Sequence, residues 1–277
     1  MSSLTAEQTA ELRRLIARHG LGRVGDRIEA AARGAIALRA TRAGGARSPG
    51  TSRFGGVPDL PPDLPWPSAG EGEEDEGGAQ YPLFLAQINL AELPPVPESP
   101  LPDRGLLYFF VYDDQEACSL WHKVLYHPGG GELRPTPPPE GGRVVRPFSQ
   151  RRDALAPYRV SARPAISTPS YGTKPFKGLG LNEGGEDLTD DYFLLQEELR
   201  RGGGPRGGQS QMLGYPYMTD TDFLSKRGEE WVLLFQMDSD QRVGISWWDA
   251  GLLHVLVPRN NLEARRFDRT YAGIYTS

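Results

Sequence analysis

Asp103-Arg104-Gly105-Leu106-Leu107-Tyr108-Phe109-Phe110-Val111 returns later in the chain as Asp249-Ala250-Gly251-Leu252-Leu253-His254-Val255-Leu256-Val257; the Asp, the Gly, both Leu and the final Val are identical. Upstream of the first copy stands Phe84-Leu85-Ala86-Gln87-Ile88-Asn89, and upstream of the second Leu233-Leu234-Phe235-Gln236-Met237-Asp238. The Gln-to-Gly spacing is 18 residues in the first copy and 15 in the second. Two short matches in one order, at similar spacing, mark a duplicated supersecondary unit. Two copies are too few for an open solenoid, so they are expected to share one core. The expected fold is a single α+β unit over residues 1–277, with mostly antiparallel mixed sheets. It has two β-rich pseudo-repeats at about 83–112 and 232–257, and N-terminal helices docked on the sheet.

Working outward, strand signals are strongest at 83–88, 106–112, 122–126, 231–237, 243–247 and 252–257. Most are apolar on both faces, as expected of strands covered on each side. Thr5-Ala6-Glu7-Gln8 fits a capping box, followed by Leu12, Leu15, Ile16 and His19 at helical spacing and by Gly20 as a stop. A second short helix is expected over 24–33, ended by Gly34, and then a half-exposed strand through Ile36, Leu38 and Ala40. The Pro-dense stretch 52–67 is expected to run extended, with Trp66 as an anchor. One further helix is read from Thr189 to Arg201, with Tyr192, Leu195 and Leu199 on a stripe, and a short turn of helix is capped by Asn260 or Asn261. Flexible loops are expected at 68–80 and 202–209, and 128–147 reads as loop.

Composition narrows the classes. The chain has 277 residues, of which 34 are Gly and 25 Pro, so strands should be short and turns many. The net charge of −5 is uneven. Glu71, Glu73, Glu74, Asp75 and Glu76 sit in one Gly-flanked run, whereas residues 1–53 carry ten Arg against Glu7, Glu11, Asp26 and Glu29, a local +6. The arginines have helical spacing and no interleaved aromatics, which reads as a solvated helix face, and nucleic-acid binding is not expected. The N-terminal helices 5–33 are expected to cover the chain's own sheet. No apolar run approaches the ~18 residues of a membrane span, and the single Cys118 cannot form an internal disulfide. A cytoplasmic protein with no membrane association is the expectation.

The chemistry-bearing residues form no recognisable catalytic set. The four histidines make no close pair suited to zinc, and His122 and His127 fall on opposite faces of a strand. Asp220, Asp222, Asp238 and Asp240 form two Asp-x-Asp pairs able to hold a hard cation, although Asp in such places commonly serves turns. The Gly-rich runs lack the Lys-Ser/Thr of a phosphate loop. No cofactor is expected and no catalytic residue is assigned. Gln87 and Gln236 hold equivalent places at strand ends, where each either caps the free amides of a loop or lines a pocket between the halves. With Arg53, Trp66, Tyr108, Trp248 and Asp249 they make up a candidate binding groove.

Ser52-Arg53-Phe54-Gly55-Gly56-Val57-Pro58, Trp66-Pro67, the two Gln-centred strands, Leu213-Gly214-Tyr215-Pro216 and Trp248-Asp249-Ala250-Gly251 occur in an order that resembles the YwqG-like family of bacterial proteins, from about residue 36 to 268. The resemblance implies a single intracellular α+β unit, and through gene neighbourhoods of some relatives a role akin to toxin immunity. It carries no catalytic residues. Two functions are therefore carried forward. The first is a non-enzymatic protein that recognises a protein partner through the 57–67 loop and nearby aromatics. The second is a small-molecule or metal-dependent enzyme with its site between the two pseudo-repeats, using Asp238, Asp240 or Asp249.

Overall fold

The computed structural model describes residues 4–41, 48–68, 79–112, 120–145, 155–201, 210–217 and 229–276. In chain order the elements are α1 Ala6–Arg18, α2 Gly25–Ala31, β1 Arg33–Thr41, β2 Arg53–Phe54, β3 Asp59–Leu60, β4 Gln80–Asn89, β5 Leu106–Val111 and β6 His122–His127. They continue with β7 Arg134–Pro135, β8 Arg143–Val145, β9 Tyr158–Ser167, α3 Lys174–Lys177, α4 Thr189–Arg201, β10 Gln211–Leu213, β11 Trp231–Asp238, β12 Leu252–Pro258, α5 Arg259–Glu263 and β13 Tyr271–Tyr275. The fold is α+β. Among the described residues one large sheet runs β13-β12-β11-β10-β1-β9-β2-β4-β5-β6, with antiparallel neighbours throughout, while β8 adds a parallel partner to β4.

The sheet curls until its edge strands approach each other. Leu120 N donates to Ala272 O at 3.1 Å, His122 Nε2 lies 2.8 Å from Thr270 Oγ1, and the Tyr126 and Phe267 rings are 5.1 Å apart. Curling gives one inner face, and the alternation of strand side chains decides what lies there. Ile36, Phe54, Leu107, Phe109, Leu234, Phe235, Leu253 and Val255 all belong to this core. Phe109 of β5 stacks on Phe235 of β11 at 4.3 Å, so the two Gln-bearing strand pairs meet in the interior. Removing either ring would cost about 3–5 kcal/mol.

A second apolar cluster lies outside the sheet. Leu12, Leu15 and Ile16 of α1 and Ile28 of α2 pack with Leu179, Leu181, Leu188, Tyr192 and Leu195. The Thr5–Gln8 capping box forms as the spacing requires, with Gln8 N donating to Thr5 Oγ1 at 3.2 Å and Thr5 N to Gln8 Oε1 at 3.0 Å. The N-terminal arginines turn to carboxylates: Arg13 to Glu29 and Arg27 to Glu183, each at 2.6 Å, and Arg18 to Glu198. Exposed pairs of this kind add little stability.

Several expectations need correction. Residues 243–247 form no strand. The Asp240 carboxylate accepts Arg242 N at 2.9 Å and its carbonyl accepts Gly244 N at 2.9 Å, which rolls the chain into a turn and leaves only the Asp240–Ile245 bridge. The second helix ends at Ala31, and Gly34 lies inside β1. The Pro-dense stretch places Arg53 and Phe54 in the main sheet between β4 and β9. β9 is a ten-residue strand that Arg159, Arg163 and Pro164 hide from a hydrophobicity pattern. Pro258, not an asparagine, precedes α5. The loops expected at 68–80 and 202–209 fall outside the described residues, apart from 68, 79 and 80. Cys118, Asp220 and Asp222 fall outside them as well.

Candidate functional site

The β4–β5 pair carries the first polar centre. A bulge between Phe84 and Ala86 resets the alternation, so Ile88 stays in the core while Gln87 faces outward opposite Tyr108. The chain from Gly50 to Leu60 folds over this outer face. Asp59 N donates to Gln87 Oε1 at 2.8 Å, and Tyr108 Oη donates to Asp59 O at 2.7 Å. The Asp59 carboxylate accepts Gly50 N at 2.9 Å, Gln87 Nε2 at 3.2 Å and the Arg53 guanidinium. Asp59, Gln87, Tyr108 and Arg53 are all buried, and burial pushes the Tyr108 phenol well above its ordinary pKa. A dry charge pair of this kind is held by its additional hydrogen bonds, and removing one partner leaves a buried unpaired charge. The knot is buried, with Arg53, Asp59, Gln87 and Tyr108 all shielded from solvent.

The β11–β12 pair builds the second centre with the same parts. A bulge falls between Leu233 and Phe235, and Gln236 faces His254 across the pair. Tyr217 N donates to Gln236 Oε1 at 2.9 Å, and His254 Nε2 lies 3.2 Å from Tyr217 O. A carbonyl can only accept, so His254 is the Nε2–H tautomer. Burial drives its pKa from 6.5 to about 3, which keeps it neutral. Tyr217 reaches this place through Leu213 and Gly214, both left-handed at φ 61° and 71°; such a conformation is uncommon for leucine.

Here the two centres diverge. Beside Tyr217 a small cavity of about 40 Å³ is lined by Thr168, Gln196, Arg200, Gln211 and Gln236. The Arg200 guanidinium lies 4.9 Å from the centre of the Tyr217 ring, and burial lowers its pKa. Among the described residues no carboxylate forms an ion pair with Arg200, in contrast to Arg53.

The remaining candidates scatter. Trp66 is 7 % exposed; its Nε1 donates to Pro82 O at 3.2 Å and its ring meets Phe110 edge-on at 5.3 Å, so it plugs the outer face of β4 and β5. Trp248 and Asp249 lie exposed in the turn before β12, with Trp248 at φ 47°. Asp238 ends β11, and Asp240 pairs with Arg242 at 2.6 Å. Among the described residues no three His, Cys, Asp or Glu side chains group as a metal site. The seven residues expected to share a groove are therefore divided: Arg53, Gln87 and Tyr108 meet in a buried knot, Trp66 packs in the same apolar cluster as Tyr108, Gln236 lies at the other centre, and Trp248 and Asp249 stand apart in the turn before β12. Asp59, His254 and Arg200 were missed. Asp59 looks like a turn residue of the Pro-rich loop, and Arg200 like one of many helix arginines.

An aromatic face lies on the helical layer, where Phe176 and Phe193 pack against the second apolar cluster. Tyr171, 52 % exposed, packs edge-on against Phe176 at 5.2 Å and Phe193 at 5.7 Å, with Lys174 and Lys177 exposed on α3 beside it.

Fold and centres together define an α+β protein with a curled antiparallel sheet and two Gln-anchored loops. Residues 52–274 match the family model described as Domain of unknown function (DUF1963), and the chain belongs to that family. No curated protein matches the chain significantly. No helix among the described residues is long and apolar enough to cross a membrane.

Proposed function

We propose that this chain is a non-enzymatic binding protein that docks an acidic segment of a protein partner on the face made by Tyr171, Phe176 and Phe193. The observation that carries this reading is three rings braced against one another at the surface beside Lys174 and Lys177. Rings already ordered lose little entropy on binding, and lysines beside them favour a negatively charged partner. The burial of Trp66 moves recognition away from the 57–67 loop. The enzyme reading has less support, because Gln87 and Gln236 engage separate loops and Asp240 is already paired.

The same proposal takes the two centres as halves of an ancestral duplication. Bulge, Gln, facing ring residue and doubly bonded loop residue correspond one to one, which supports it, as does the repeated sequence. It takes α1 and α2 as docked beside β9, supported by Gln8 Nε2 donating to Ala165 O at 3.0 Å, and the protein as a cytoplasmic member of a YwqG-like group. The test is affinity purification from native lysate with wild type, Tyr171→Ala and Lys174→Glu/Lys177→Glu. Wild type should hold a stoichiometric partner, released by added salt, that both variants lose at unchanged melting temperature. A partner retained by both variants, or none at all, refutes the reading.

A further inference from the structure

We infer that the outer face of the β1–β9 pair is a docking site for an extended acidic peptide, with Arg39, Arg159 and Arg163 as its anchors. The strand register brings these three together. Ile36, Leu38 and Ala40 of β1 and Val160 of β9 lie in the core. The alternate residues Ala37, Arg39 and Thr41 therefore point away from it, beside their partners Arg163, Ser161 and Arg159. Elsewhere the fold supplies its arginines with carboxylates: Arg13 meets Glu29, Arg27 Glu183, Arg53 Asp59, Arg242 Asp240 and Arg269 Glu229. Among the described residues no carboxylate forms an ion pair with Arg39, Arg159 or Arg163. Arg159 and Arg163 are exposed and Arg39 is half-buried. Burial lowers the pKa of Arg39, and the like charge of Arg163 lowers it further. Like charges across a strand pair repel, and a bound anion would relieve that repulsion.

Spacing and surroundings select the ligand. Strand residues two apart in sequence stand about 6.7 Å apart. Arg39 faces Ser161, midway between Arg159 and Arg163, so the three side chains step along the face by that increment. An extended peptide with a carboxylate at every second residue repeats at the same interval, and each carboxylate then meets one planar guanidinium fork. Ala37, Ser161 and Thr41 lie between the arginines, and their short side chains let a strand come close. The outward residues from Ala35 to Thr41 and from Arg159 to Ala165 include no aromatic. Bases would find no stacking platform among them, which disfavours single-stranded nucleic acid. The helical layer reaches the other end of β9, where Gln8 Nε2 donates to Ala165 O at 3.0 Å. The site shares no residue with the Tyr171 face and stands without it.

The test is fluorescence anisotropy with the full chain at constant ionic strength, using three labelled octapeptides capped at both ends. One has four Glu-Thr repeats, one has four Glu followed by four Thr, and one has four Gln-Thr repeats. The alternating acidic peptide should bind saturably and the Gln peptide not at all. The block peptide, of equal charge but with fewer carboxylates on one side, should bind about fivefold more weakly. Arg159→Ala should weaken binding of the alternating peptide about fivefold or more, and Arg163→Glu should abolish it. Arg163→Glu also places a carboxylate beside Arg39, so its melting temperature should rise, which separates lost binding from lost fold. Four results would each overturn the assignment: no binding by the wild type, equal affinity for the alternating and block peptides, equal affinity for the acidic and Gln peptides, or full affinity in Arg163→Glu. Tighter binding of an oligothymidylate of the same length through these arginines would assign the face to nucleic acid and overturn it as well. A synthetic peptide needs no cellular partner, so its failure is distinct from failure of the docking reading.

Discussion

At the scale of single residues, the chain shows how one polar side chain changes meaning with its cover. Gln87 and Gln236 each bond one loop amide, and the ring residue opposite each bonds the same loop residue's carbonyl. Tyr108 does this without titrating near neutrality, but His254 does it as a buried imidazole. Its folded pKa, about 3, lies below the ordinary 6.5. The unfolded chain therefore takes up a proton below pH 6.5 that the folded chain refuses. Stability is intact above pH 6.5 and falls as pH drops toward 3, by up to about 1.4 kcal/mol per unit. His254→Gln keeps a donor for Tyr217 O and removes the titration. Urea unfolding should find the variant the less stable at pH 7.5, with the gap to wild type narrowed by about 2 kcal/mol at pH 5. A gap independent of pH would mean that His254 is not held neutral in the fold.

At the scale of elements, the repeated glycine has a specific task. Leu106 pairs with His127 and Leu252 with Tyr275, each at the end of the next strand. A Cβ on Gly105 would meet His127 O at 2.7 Å, and one on Gly251 would collide with Tyr275 O. In both copies, then, the residue before the strand must let the neighbouring backbone approach. Gly251→Ala should destabilise by ~1–3 kcal/mol in urea, because a backbone carbonyl cannot move aside as a side chain can. Gly22→Ala, with nothing within 4 Å of its added Cβ, is the control and should stay within about 0.5 kcal/mol of wild type. Equal effects at the two sites would remove close approach as the reason for the repeat.

At the scale of the molecule, three apolar clusters divide the described residues. The inner face of the curled sheet holds one, the outer face of β4 and β5 under Trp66 a second, and α1, α2 and α4 share the third with the 179–188 segment. Among the described residues the bonds from this helical layer to the rest include Gln8 to Ala165 O, Tyr192 Oη to Pro169 O at 2.7 Å, Gln196 Nε2 to Pro169 O at 3.0 Å, and Tyr215 Oη to Ala31 O at 2.8 Å. A layer with its own core should open before the sheet does. Native-state hydrogen exchange should show α1 and α2 amides opening at lower free energy than those of β4, β5, β11 and β12. A single opening energy for both groups would make the molecule one cooperative unit.

What the sequence determined by itself follows from short-range physics. The Thr5–Gln8 box, the bounds of α4 and the paired strands with their Gln and Gly rest on hydrogen bonds three or four residues apart, on side-chain period and on internal repetition. The same local rules misjudged 243–247, where Asp240 captures the following amides, and overlooked β9, whose arginines and proline mask its place beside β1. Only the tertiary structure decided which segment covers which strand face. That covering turns Arg53, Gln87 and Tyr108 from groove residues into a sealed knot around Asp59. It also sets the Arg200 guanidinium over the Tyr217 ring. A polar residue in a loop or on a helix has the same sequence signature in water or under cover. Its partner, distant in the chain, determines its energy and hence its role.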